Sequence, residues 1–129
     1  MPQSDRAIKV YRLGGGLLAT VSDATRHYFG GYYHVRIEVS ADIPVSVTAF
    51  AGPDDHRQAA MLLGDSVRMF RSLEKMAVPA EEIDAVRRHL LQSFEATVLP
   101  YLLRDDFAAS FVQSEFRAAL KTSRVQFQR

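Results

Sequence analysis

From Tyr33 to Ala49 the odd-numbered positions are apolar (Tyr33, Val35, Ile37, Val39, Ala41, Ile43, Val45, Val47 and Ala49) and the even-numbered positions are polar or proline. A period of two is that of a strand with one dry face and one wet face. Seventeen residues exceed the usual strand length, and Pro44 has no N–H to give to a ladder. The run is therefore expected to bend at Asp42 to Pro44, and to lie at a sheet edge or divide into two strands. Upstream, the segment 7–13 (AIKVYRL) reads as a strand that stops at Gly14-Gly15-Gly16, where positive φ costs little, and Leu17 to Ser22 reads as its returning partner. Gly30-Gly31 marks a second turn.

Beyond Ala51-Gly52-Pro53 the apolar spacing becomes helical. Asp54 or Asp55 is expected to cap a helix over about 54–76, with Ala59, Leu62, Leu63, Val67, Phe70 and Leu73 in its buried stripe. Pro79 suits the first turn of a second helix over about 80–99, which has Glu81, Glu82 and Asp84 at its positive end and Ile83, Val86, Leu90, Phe94 and Val98 along one face. Pro100 ends or kinks it. A third helix, over about 105–121, carries Phe107, Phe111, Val112, Phe116 and Leu120 and starts at a cap from Asp105 or Asp106. Strands followed by helices predict an α+β fold, with an antiparallel sheet of three to four strands (about 7–50) packed against three helices. A chain of 129 residues fits one such domain, with 1–6 and 122–129 as flexible termini.

Composition narrows the chemistry. With 47% hydrophobic and 24% charged residues the chain is neither disordered nor a membrane protein in character, and the absence of cysteine excludes disulfides, thiolate metal sites and cysteine nucleophiles. No long apolar run marks a spanning helix, so a cytoplasmic location without membrane partners is expected. The 16 basic and 15 acidic residues leave a net charge of +1, with no global attraction for a polyanion. Only the stretch from Arg117 through Lys121 and Arg124 to Arg129 is basic without acids.

Local motifs add little chemistry. Gly14, Gly16 and Ala19 fit a loose dinucleotide fingerprint, but the residues after them lack the amphipathic helix whose N-terminus would meet a pyrophosphate. His27, His34, His56 and His89 have no i,i+4 pairing, so no metal and no cofactor are expected. Asp23, Glu38 and Asp42 offer acid–base groups near His27 and His34, but spacing selects no pair, and the protein is read as leaning away from enzymes. The most unusual composition is the stretch from His27 to Arg36, with four aromatic residues and two imidazoles around the glycine pair. Tyr28, Tyr32, His34 and Arg36 are the candidate ligand-binding residues there, for a small molecule or an unpaired nucleic-acid strand stacked on the rings. Cross-strand aromatic packing explains the same residues without a ligand. Leu91, Leu99, Leu102 and Leu103 supply more apolar surface than one helix stripe needs, and either close the core or form a self-association surface; a self-associating interaction module, a homodimer joined through a sheet edge or surplus helix surface, is the preferred expectation.

The glycine turn followed by Tyr32-Tyr33-His34-Val35-Arg36-Ile37-Glu38-Val39, together with Leu99-Pro100-Tyr101-Leu102 and Arg104-Asp105-Asp106-Phe107, resembles small uncharacterised bacterial proteins of similar length. The shared residues are packing and turn residues, and the resemblance implies no activity.

Overall fold

The glycine and proline positions punctuate the chain much as expected. A computed structural model describes residues 6–127. The order is β1 (Arg6–Arg12), a 3-10 turn at Gly14–Gly16, β2 (Leu18–Asp23), β3 (Arg26–Phe29), β4 (Tyr32–Pro44), a 3-10 turn at Val47–Ala49, α1 (Pro53–Leu63), β5 (Ser66–Pro79), a 3-10 turn at Ala80–Glu82, α2 (Ile83–Thr97), α3 (Leu99–Leu102) and α4 (Phe107–Phe127). The expected α+β fold is present, with four strands in the N-terminal part. Of the expected flexible termini, residues 1–5 and 128–129 lie outside the described residues; Arg6 already belongs to β1, and α4 runs on to Phe127.

Two expectations are corrected. The helix expected over 54–76 ends at Leu63, and residues 66–79 form β5 instead. Gly64 stops the helix: at φ +81° and ψ −156° it has a backbone conformation that side-chain-bearing residues rarely adopt. Val67, Met69 and Leu73 then turn inward on a two-residue period, and Ala77, at φ +57°, shifts the phase so that Val78 is buried. The cap also differs. Gly52 precedes Pro53 in the first helical position, and Asp54 and Asp55 sit in the first turn, where their charge favours the helix dipole.

The second correction concerns the long alternating run. It is one strand of 13 residues and not an edge, because β4 pairs with β2, β3 and β5. Pro44 is tolerated because it is the last strand residue. The register of β2 on β4 (Thr20↔Ser40 to Asp23↔Ile37) continues through Ala24 N to Arg36 O into that of β3 (Arg26↔His34, His27↔Tyr33). β2 and β3 thus act as one interrupted strand along one side of β4, and β5 takes the other side. At the interruption the Thr25 hydroxyl accepts from Arg36 N at 3.3 Å, so the backbone donor stays satisfied. β1, β3 and β5 each pair on one side only and are the edges.

The chain divides into two compact units. The first, Met1–Ala41 with Phe70–Leu103, holds most of the sheet together with α2 and α3. Ala19, Val21, Val35, Ile37, Val39, Val78, Phe94 and Leu102 are buried there. Leu102 thereby closes the core, as one reading of the leucine-rich segment anticipated, while Leu103 stays half exposed. α2 is fastened to the buried-phase face of β1 and β2. Tyr11 donates to Glu95 Oε2 at 2.6 Å, Lys9 Nζ to the same oxygen at 2.9 Å, and Arg87 pairs with Asp23 at 3.0 Å.

The second unit is Asp42–Met69 with Arg104–Arg129. Its core includes Ile43, Val45, Ala59, Met69, Phe107, Val112 and Phe116. Phe50 meets Phe116 edge-on at 5.5 Å, His56 Nε2 lies 3.1 Å from Val45 O, and Gln113 donates to Ala49 O, so α1, the 3-10 turn and α4 are tied together. Asp42 meets Arg68 while Val45 N donates to Asp65 O. As one strand index rises the other falls, so β4 and β5 are antiparallel here.

The Tyr11–Glu95 bond yields a pH prediction. Partial burial, then the bond to Glu95, pushes the Tyr11 phenol well above its ordinary value of 10.0. The bonds from Tyr11, then Lys9, hold Glu95 below its ordinary value of 4.5. A raised folded pKa stabilises the fold below the unfolded value, and that contribution is lost as pH rises beyond it. A depressed folded pKa stabilises above the unfolded value and is lost as pH falls. Tyr11→Phe is thus expected to flatten both the alkaline decline in melting temperature above pH 10.0 and the acid decline below pH 4.5, as read by thermal unfolding across pH.

Candidate functional site

The pairing register sorts the side chains of the first unit onto two faces. Val10 opposes Thr20, Arg12 opposes Leu18, Thr20 opposes Ser40 and Ser22 opposes Glu38, so these residues share the face opposite Ala19, Val21, Ile37 and Val39. His34 and Arg36 are in phase with Glu38, and Arg26 opposes His34. On β5 the contacts of Glu74 with His34 and Arg36 put Glu74 on the same face, together with Phe70, Ser72 and Met76 by the two-residue period. The hydrogen bonds and ion pairs that join α2 side chains to the sheet run to Lys9, Tyr11 and Asp23 on the other face. Val10, Leu18, Phe70 and Met76 on the wet face are each about half exposed, at 52, 51, 50 and 47%.

A four-residue ionic ladder crosses this face. His34 Nε2 donates to Glu74 Oε1 at 2.7 Å, since a carboxylate oxygen can only accept. Arg36 Nη1 donates to that same oxygen at 3.0 Å, and Arg36 Nε donates to Glu38 Oε2 at 2.8 Å. The bond from His34, reinforced by Arg36, holds Glu74 below the usual carboxylate range, so it is ionised at neutral pH. The bond to Glu38, then that to Glu74, raises the Arg36 guanidinium further. No hydroxyl among the described residues bonds to His34, so the ladder orients an imidazole without presenting a nucleophile to it.

The four candidate residues separate into two pairs. His34 and Arg36 meet through Glu74, whereas Tyr28 and Tyr32 stand at the β3–β4 hairpin, 54 and 47% exposed. Phe29 opposes Tyr32 and is 74% exposed, the most exposed aromatic of the hairpin. The rings do not fill a core. Among the described residues, His27 and Tyr33 alone make the cross-strand aromatic contact anticipated for this hairpin, edge-on at 5.3 Å. Glu74 was missed because the sequence places it in a helix, and 38 residues separate it from Arg36. The same helix reading put Phe70 in a buried stripe and left Met76 unassigned, whereas both are half exposed on this face. Among the described residues no group of three or more His, Cys, Asp or Glu could hold a metal ion, and no helix is long and apolar enough to cross a membrane.

No protein-family model, curated protein or solved structure matches this chain.

Proposed function

We propose that this protein is a non-enzymatic, cytoplasmic assembly module that forms a homodimer by packing the open sheet faces of two copies. The observation that carries the reading is the set of half-exposed apolar side chains, Val10, Leu18, Phe70 and Met76, on a sheet face where polar residues alone would suffice. Charge argues for a second copy as the occupant. Arg12, Arg26 and Arg36 share the face with Glu38 and Glu74, and a two-fold interface must complement itself in sign. A polyanion would call for a surface of one sign.

Sedimentation velocity over a concentration series is expected to show a dimer whose dissociation constant rises about a hundredfold in Phe70→Glu. Phe70 is half exposed, so circular dichroism should report an unchanged fold in the variant. A wild-type chain that stays monomeric at about 100 µM would sink the reading, as would a dimer that Phe70→Glu leaves intact.

A second reading rests on the exposed rings of Tyr28, Phe29 and Tyr32, which offer stacking surfaces to an unpaired base or a flat small molecule. It ranks second because His34 and Arg36 are already engaged by carboxylates. Fluorescence anisotropy with a labelled single-stranded oligonucleotide at low salt, on wild type and Tyr28→Ala/Tyr32→Ala, distinguishes the two.

A further inference from the structure

Of the four histidines, His34 alone stands on the open sheet face. His27 is in register with Tyr33 on the other face, His56 lies against Val45 O in the second unit, and His89 is exposed on α2. The groups that face the His34 imidazole come from three strands. On β4, Tyr32 and Arg36 flank it two residues away, with Glu38 beyond Arg36. On β3, Arg26 opposes it and Tyr28 follows. On β5, Glu74 accepts from it at 2.7 Å. Because β5 runs antiparallel to β4, Met76 lies on the His34 side of Glu74, which brings an apolar residue of the open face toward the ring. The ion pairs of α2 with the sheet run to the other face.

Charge around the ring is balanced while the imidazole is neutral. Arg26 and Arg36 answer Glu38 and Glu74, and Arg12 is at the far end of the face, opposite Leu18. Glu74 has little left to offer an added charge, since its Oε1 already accepts from both His34 and Arg36. The bond from His34, then that from Arg36, holds Glu74 below the usual carboxylate range, so it stays ionised where imidazoles titrate. A proton on His34 therefore leaves the patch with one more positive charge than its carboxylates answer. In a single copy that charge reaches water, because the side chain is 23% exposed. Under a second copy it would lose this water, and the same excess would be buried on the partner, since a two-fold interface uses one patch twice.

From this placement we infer that the dimer assembled on the open face is controlled by pH, with protonation of His34 releasing the two copies. The inference rests on the dimer reading of that face. The dimer accepts the neutral ring and so holds fewer protons than two free copies. Its stability is full above the pH at which the imidazole titrates and is lost as pH falls through it.

Sedimentation velocity over a pH series from about 8 to about 5.5, within the range where circular dichroism shows an unchanged fold, tests this on wild type and His34→Gln. The wild-type dissociation constant is expected to rise at least about tenfold toward acid. His34→Gln, whose amide still donates to Glu74 but takes up no proton, should keep one value throughout. A wild-type dimer with a dissociation constant flat in pH overturns the control by His34 and leaves the dimer standing, and so does a pH dependence that survives in His34→Gln. A wild type that is monomeric at every pH removes the dimer and its control together.

Discussion

Phe94→Ala is expected to lower the unfolding free energy by about 3–5 kcal/mol, measured by urea denaturation. Among the described residues Phe94 is the largest of the fully buried side chains, and it is the one residue of α2 that is wholly inside. Its ring meets Tyr11 edge-on at 5.4 Å, so truncation opens a cavity and also removes an aromatic pair. The loss is large against the roughly 5–15 kcal/mol that holds a typical domain folded. A Phe94→Leu variant keeps most of the apolar volume and should recover over half of the loss. A loss below about 1 kcal/mol in the alanine variant would mean that α2 does not pack on the sheet as described.

The second large effect concerns β4. Ile37→Ala should cost about 2–5 kcal/mol, whereas Arg36→Ala and Glu38→Ala, on either side of it, should each cost about 1 kcal/mol or less. Ile37 is fully buried in the central strand, while its neighbours pair with each other on the open face. The contrast between adjacent residues reads the strand's phase directly. If the three variants lost similar stability, both faces of the sheet would have to be covered. Cover supplied by a second copy would appear as a loss that depends on protein concentration, which links this experiment to the proposed dimer.

How much of this was legible in the sequence depends on how far apart the deciding groups are. The Gly14–Gly16 turn and the strands flanking it follow from local backbone preference, and Gly15 and Gly16 take the positive φ that the turn needs. The alternation from Tyr33 named the residues that are buried from Val35 through Val45, because a period of two in a half-buried strand requires no knowledge of its neighbours. The same alternation ran too far. Val47 and Ala49 kept the phase inside a 3-10 turn, where Val47 is exposed.

Residues 66–79 show the opposite failure. Val67, Phe70 and Leu73 fit a helical stripe, and nothing local in them contradicts it. The usable signal was Gly64-Asp65-Ser66, a helix stop followed by turn formers, after which the two-residue period of Val67, Met69 and Leu73 also fits. Pairing with β4 decided between the two.

The candidate site divides along the same line. The sequence alone determined that Tyr33 to Ile43 has a dry face and a wet face, and that His34, Arg36 and Glu38 share the wet one, because side-chain direction along a strand is a local property. Tertiary structure alone decided that β4 is central, that Glu74 joins His34 to Arg36, and that Phe70 and Met76 stand beside them half exposed. Those facts depend on β5 pairing with β4 across some forty residues of chain. Strand pairing over that distance is set by which apolar faces are buried together, a property of the whole assembled core that no window of sequence contains.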